Sequence, residues 1–255
     1  MSEQGSGEPP IIVQDNSEVL SGTTPPAPAP TNDAPVSLAA FLFGGIIVIF
    51  LTHYNLGSYT IWSSGFTRPF RTFEEYLVVN VTGLMLIPFL LIFGVFRESG
   101  DRYGFAPAKP GYGKLTLIFF AAMLPVLLIV SRFPDFRQTY PLQGQAAYSW
   151  GYFFYFEIAY GFYLFCWEFF YRGFLTFGLR RRLGDTAAIL LQATAFGIMH
   201  WGKPIPEFIS SFFGGAILGW LAIRARSFFP GFMLHWAIAF TLDCLAIHSK
   251  VSGIF

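Results

Sequence analysis

Three ionisable side chains in the apolar part of the sequence have the types and spacing needed for hydrolytic chemistry: Glu168, His200 and His235. An ionisable residue at membrane depth costs at least ~2.5–3.5 kcal/mol, so each of them is a candidate functional residue. A carboxylate in a low-dielectric pocket can act as a general base that activates water at neutral pH. The histidines can donate hydrogen bonds to the oxyanion of a tetrahedral intermediate. Zinc binding is the weaker alternative, because the sequence lacks the His-Glu-x-x-His spacing of zinc proteases.

A basic residue accompanies the glutamate. Arg172 follows Glu168 by four positions, which places the two side chains together on one helix face. This arginine either neutralises a hidden carboxylate or orients a working one, and we favour the second interpretation. Glu157 lies on nearly the same face but ~16 Å away along the helix axis, so we expect it near the opposite surface.

The helices that carry these residues bring them to similar depths. The depths are measured from Arg180, Asp185 and Arg226, on the side marked by arginines, at ~1.5 Å per residue: Glu168 lies ~18 Å deep, His200 ~22 Å and His235 ~13 Å. We therefore predict one site shared by three helices.

The composition of the chain is typical of membrane proteins. Of its 255 residues, 54% are hydrophobic and 12% are charged, whereas soluble domains carry about 25% charged residues. We predict an all-α, polytopic bundle of transmembrane helices. The expected spans, about seven, are residues 36–53, 76–96, 115–131, 146–179, 186–201, 208–223 and 231–247. The distribution of basic residues between the two sides mildly favours a cytoplasmic N-terminus.

Residues 1–35 differ from the rest of the chain. They contain no Lys or Arg, several acidic residues and a Pro-Ala repeat, which predicts a disordered acidic tail without the basic start of a signal peptide. Residues 36–255 are expected to form one transmembrane domain. The apolar composition predicts the lipid bilayer as a partner. The net charge of +1 carries no information about partners, and no basic block indicates binding to nucleic acid. Oligomeric state is left open by the sequence.

Three short segments resemble the motifs of a known family. Residues 167–175 begin Trp-Glu-Phe-Phe-Tyr-Arg-Gly, residues 196–200 read Phe-Gly-Ile-Met-His, and residues 230–235 read Pro-Gly-Phe-Met-Leu-His. In this order they are similar to the motifs of the CAAX protease and bacteriocin-processing (CPBP, or Abi) family of intramembrane endopeptidases, in a bacterial-type form. The likeness covers about residues 140–250. The first motif of the family reads Glu-Glu-x-x-x-Arg, and the second reads Phe-x-x-x-His.

The sequence departs from the family pattern at two positions. Trp167 stands where the family has the first glutamate of the pair, the residue usually assigned as the catalytic base. Ala239 stands where the third motif has an asparagine, and Asp243, one turn further, is a candidate substitute. These departures leave two interpretations, a divergent enzyme that uses Glu168 as its base and a non-catalytic relative.

The resemblance implies hydrolysis of a peptide bond in a membrane-anchored protein or peptide. In this interpretation Glu168 activates water, Arg172 orients Glu168, and His200 and His235 stabilise the oxyanion, without a cofactor. We expect such a protein in the plasma membrane of a bacterium. A non-catalytic immunity or scaffold protein is the main alternative. A small transporter is a third, although the sequence shows neither the inverted repeats nor the broken helices expected of one.

Overall fold

The computed structural model describes residues 33–56 and 72–252. Within these ranges the chain forms helices and connecting turns, and no strand. The predicted all-α membrane bundle is thus confirmed. The predicted N-terminal tail lies outside the described residues, except that residues 33–35 are the first residues of a helix.

Nine α-helices are described in these ranges, and they are interrupted or extended by shorter helical segments. The α-helices are α1 (Asp33–Leu56), α2 (Phe73–Val81), α3 (Ile87–Phe89), α4 (Tyr112–Val130), α5 (Pro134–Thr139), α6 (Trp150–Glu168), α7 (Thr176–Ile198), α8 (Ile205–Ala225) and α9 (Phe229–Ser252). The π-helical segments are Thr82–Leu86, Leu90–Val95 and Phe169–Leu175, and the 3₁₀ segments are Gly100–Tyr103 and Gly144–Ala147.

Five helices in the described part of the chain are long and apolar enough to cross a membrane, judged by length and composition. They are Asp33–Asn55, Phe73–Val95, Tyr112–Val130, Ile205–Ala225 and Phe229–Ser249. The other two predicted spans, residues 146–179 and 186–201, are largely helical as well. They miss the criterion because α6 is rich in Trp and Tyr and α7 begins with a cluster of charged residues, so the expected count exceeds the observed one by two.

The chain reverses direction between α6 and the end of α7. Within α7, Gly184 has a non-helical backbone (φ 77°, ψ 171°) that separates two helical stretches. The guanidinium of Arg172 lies 4.1 Å from the ring centre of Phe196. A continuous helix would separate these residues by ~36 Å. The break at Gly184 therefore folds the second stretch back beside the first.

Glycines allow the helices around this reversal to approach closely. A Cβ atom at Gly178 would lie 2.8 Å from the Cβ of Ala40, and the hydroxyl of Ser37 donates to the Gly178 carbonyl at 2.7 Å. These contacts hold α1 against α7. A Cβ atom at Gly161 would lie 2.6 Å from the indole of Trp236, so the glycine also lets α6 approach α9.

A buried ion cluster joins the ends of several helices outside the membrane spans. Glu98 accepts hydrogen bonds from Arg181 at 2.8 Å, from Arg102 at 2.6 Å and from the Tyr103 hydroxyl at 2.6 Å. Burial alone would raise the pKa of Glu98, but the hydrogen bonds from Arg181 and Tyr103 and the charges of both arginines bring it below its usual value. Arg181 also lies 3.9 Å from Asp33, so the cluster connects α7 to the start of α1.

Candidate active site

The centre of the candidate site is the carboxylate of Glu168, the last residue of α6, which is fully buried. Its Oε1 atom lies 3.1 Å from Nη1 of Arg172 and 2.7 Å from Nδ1 of His235. The structure thus brings together three of the four predicted site residues, which lie in α6, in the π-helical segment after it and in α9. Their chemical roles remain predictions.

The π-helical segment Phe169–Leu175 begins directly after Glu168. In a π-helix the backbone hydrogen bonds span five residues, and such segments are frequent at functional sites. The hydroxyl of Thr176 donates to the carbonyl of Tyr171 at 2.7 Å, which satisfies an acceptor in the widened turn.

The second carboxylate oxygen of Glu168 is free. Oε2 is buried and has no hydrogen-bond partner among the described residues. A Cβ atom at Gly231, in the first turn of α9, would lie 3.1 Å from this oxygen. The glycine therefore avoids a close contact between a Cβ atom and Oε2.

Arg172 is held in an apolar environment. Its side chain is fully buried, and its guanidinium lies over the ring of Phe196. The Nε and Nη2 atoms have no hydrogen-bond partner in the described part of the chain. The contact with Glu168 and the cation–π contact with Phe196 are therefore what compensate its charge in the described structure.

His200 lies in the turn after α7, close to the glutamate but not bonded to it. Its Nδ1 atom lies 2.8 Å from the carbonyl oxygen of Phe196, and its ring packs against Phe196 and Trp167 at centroid distances of 4.5 and 5.8 Å. Because a carbonyl only accepts, Nδ1 of His200 carries a proton and donates it.

The same reasoning applies to the second histidine. Nδ1 of His235 donates to the Glu168 carboxylate, so a neutral ring presents Nε2 as an acceptor, as His200 does. To donate to an oxyanion, as predicted, either histidine must therefore carry a second proton on Nε2, which makes its ring positively charged.

A largely apolar cavity of about 970 Å³ opens beside these residues. His200, His235 and Trp167 line it, together with side chains from α1, α4, α8 and α9. Its volume is at the upper end of the range of small-molecule pockets, which is large enough for a peptide segment or a lipid chain.

Tyr140, which directly follows α5, forms hydrogen bonds with two charged side chains at this cavity. The Tyr140 hydroxyl donates to Glu207 at 2.6 Å and accepts from Nζ of Lys203 at 3.0 Å. Burial, and then the negative charge of Glu207, raise the pKa of Tyr140 well above its usual value. Sequence reasoning did not single out this trio, because Tyr140 lies more than sixty residues from its partners.

Two further acids form a pair that the sequence analysis did not predict. Glu157 and Asp243 are both buried in the interior, and their carboxyl groups interact with each other. The two groups lie close enough to influence each other electrostatically, but both oxygens of Glu157 and Oδ1 of Asp243 have no hydrogen-bond partner among the described residues. Glu157 is therefore buried inside the bundle, and its depth in the membrane stays a prediction. Asp243 lies beside Glu157 and is not among the hydrogen-bond partners of Glu168.

A signal for this acid pair was present in the sequence. Glu157 precedes Glu168 by eleven residues and Asp243 follows His235 by eight, so on antiparallel helices the two acids fall at nearly the same level. The described residues contain no cluster of three or more His, Cys, Asp or Glu side chains arranged to hold a metal ion.

Comparison with known protein families agrees with the motif analysis. Residues 146–241, less than half of the chain, match the family model described as type II CAAX prenyl endopeptidase Rce1-like. This segment contains Glu168, Arg172, His200 and His235, and the match confirms the resemblance to the CPBP family. Neither a curated protein nor a solved structure matches the chain.

Proposed function

Because residues 146–241 belong to the CPBP family and lie in an integral membrane protein, we propose that the protein is an intramembrane endopeptidase. It would hydrolyse a peptide bond in a membrane-anchored protein or peptide. The description of the matched family points to prenylated CAAX-type substrates, which reach the enzyme from the lipid bilayer. We also propose the plasma membrane of a bacterium as its location, on the bacterial-type sequence at residues 202–207.

The observation that carries the proposal is the arrangement of the Glu168 carboxylate. Oε1 is fixed by Arg172 and His235, whereas Oε2 is buried and free. A catalytic base needs this combination, since one oxygen sets the orientation and the other accepts the proton. A purely structural ion pair has no need for a carboxylate oxygen without a hydrogen-bond partner.

In the proposed reaction, Glu168 takes a proton from a water molecule while the water oxygen attacks the carbonyl carbon of the scissile bond. The π electrons of the carbonyl move to its oxygen, which becomes the oxyanion of a tetrahedral intermediate. When the intermediate collapses, the C–N bond breaks and the proton passes from Glu168 to the leaving nitrogen. As neutral rings, His200 and His235 accept a hydrogen bond from the water through Nε2. As protonated rings, they donate a hydrogen bond from Nε2 to the oxyanion.

The proposed mechanism uses no cofactor. Glu168 has the only carboxylate among the four candidate residues, and this carboxylate already forms an ion pair with Arg172. A zinc-dependent version therefore remains the weaker alternative. Treatment with a strong chelator distinguishes the two versions. We expect full activity after chelation, whereas a loss that is restored by added zinc would favour the metal version.

The proposal is tested with purified protein in lipid vesicles and a quenched, prenylated peptide ending in Cys-aliphatic-aliphatic-X. Glu168→Gln should lower the cleavage rate at least about 100-fold, because a general base contributes roughly 10²–10⁴. Glu74→Gln, which changes an exposed glutamate bonded to Tyr155, is the matched control and should cleave like the wild type. Equal cleavage by Glu168→Gln and the wild type would refute the proposed base.

A non-catalytic membrane protein of the same family is the second candidate. The observation that favours it is the side chain of Trp167, which fills the position of the family's usual base and packs against Tyr163, Tyr171 and Phe196. This candidate predicts specific binding of the prenylated peptide without cleavage. Wild-type protein that binds the peptide but releases no product over long incubation would support it.

A further inference from the structure

The indole nitrogen of Trp167 is a hydrogen-bond donor without a partner. The side chain is 4% exposed, and Nε1 makes no hydrogen bond within the described part of the chain. An indole N–H can only donate, and leaving such a group unpaired in the interior is unfavourable. An unpaired buried donor in a native structure therefore requires an explanation, and a ligand that accepts its hydrogen bond is one.

The surroundings of this N–H are aromatic. Trp167 packs against Tyr163, Tyr171, Phe196 and His200, with centroid distances between 5.1 and 5.8 Å. These contacts fix the position of the indole, and none of them is a hydrogen bond that Nε1 donates. Trp167 also lines the cavity that His200 and His235 line, so its side chain belongs to the wall of the candidate active site.

The candidate site lacks a committed donor for an oxyanion. Both histidines already use Nδ1–H, toward Phe196 and Glu168, and their neutral rings offer only acceptors to the cavity. Ala239, which replaces the asparagine of the family motif, has no side-chain donor.

We propose that the Trp167 indole N–H donates a hydrogen bond to the oxyanion of the tetrahedral intermediate, as a catalytic residue of this protein. The inference rests on the proposed peptidase function. The donor forms and breaks no covalent bond, and it stabilises the negative charge that develops when the carbonyl electrons move to oxygen. In this proposal Glu168 is the base, and Trp167, at the position where the family has a glutamate, supplies the donor.

Other unpaired buried donors serve this role less well. Tyr171, Arg172 and Trp236 each have a donor atom without a partner among the described residues, but none of the three lines the cavity. Trp236 is a useful control for this reason. It is a second tryptophan with an unpaired Nε1, and it packs against Gly161 and stacks on Phe232, away from the cavity wall.

The experiment compares Trp167→Phe with Trp236→Phe in the vesicle cleavage assay. Loss of one oxyanion donor typically lowers kcat by roughly 10²–10³. We expect kcat of Trp167→Phe to fall at least about 100-fold with little change in KM, because the hydrogen bond forms only in the transition state. The pH dependence of the remaining rate should keep its wild-type shape, since the base is unchanged. Trp236→Phe should retain wild-type kcat.

A second variant separates loss of the N–H from loss of packing. Benzothienylalanine at position 167 keeps the size and shape of the indole but replaces N–H with sulfur. A similar fall in kcat for this variant supports the proposal, and a kcat within about threefold of wild type overturns it. Wild-type cleavage that is lost in Glu168→Gln but kept in the position 167 variants would refute this inference alone. A wild type that cleaves nothing would instead refute the peptidase function.

Discussion

Replacement of Arg172 by methionine should strongly lower the free energy of unfolding, because it leaves a buried charge without its partner. The guanidinium and the Glu168 carboxylate are both fully buried at a separation of 3.1 Å. Methionine keeps most of the apolar volume but leaves the carboxylate without its cationic partner. Removing one member of a buried ion pair costs about 3–5 kcal/mol, because the remaining charge stays desolvated. We expect about 3 kcal/mol, the lower end, because His235 still bonds to Glu168.

The double variant Arg172→Met with Glu168→Gln tests this reasoning. It removes both charges, so most of the lost stability should return, to within about 1–2 kcal/mol of the wild type. The free energy of unfolding is measured by denaturation in mixed detergent micelles, and both variants should be catalytically inactive. If the double variant is as unstable as Arg172→Met alone, the cost arises from packing and the argument from uncompensated charge is wrong.

Three further predictions concern other parts of the structure. Gly231→Ala should lower kcat about tenfold without unfolding the protein, since its Cβ atom would crowd Oε2 of Glu168 at 3.1 Å; an unchanged rate would contradict the proposed role of Oε2 as the proton acceptor. Glu98→Gln should lower the melting temperature at neutral pH. In the wild type, the stability that Glu98 contributes should be fully present above pH 4.5 and lost as the pH falls through the lowered pKa of Glu98. The variant should lack this pH dependence, and a variant that keeps it would contradict the role of Arg181 in lowering that pKa. Gly197→Ala should destabilise the packing of α7 on α8, because its Cβ would lie 2.5 Å from a phenylalanine ring; a wild-type melting curve would contradict this.

Local spacing in the sequence was sufficient for the features that depend on one helix. The four-residue interval between Glu168 and Arg172 predicts their contact, and the structure has it. Hydropathy likewise predicts the membrane helices, because each span must bury its own backbone polar groups. Five of the roughly seven predicted spans meet the criterion of length and composition, and aromatic and charged residues lower the hydropathy of the other two helical segments.

Features that depend on packing between distant helices were not predictable in the same way. The pairing of Glu157 with Asp243 joins residues 86 positions apart, and it depends on how close α6 and α9 approach. The bond from Nδ1 of His235 to Glu168 depends on ring orientation, which no spacing rule specifies. The unpaired N–H of Trp167 is visible only once all its neighbours are known.

The reversal at Gly184 has a consequence for how the chain sets the depth of its chemistry. Glu168 lies sixteen positions before this glycine and His200 lies sixteen positions after it. Each arm is about 24 Å long at ~1.5 Å per residue. The number of residues in each arm therefore sets the level at which Glu168 and His200 lie. Inserting one residue in either arm would shift its end by ~1.5 Å along the helix axis and turn it by ~100°, so the residue count fixes both the depth of the side chain and the direction in which it points.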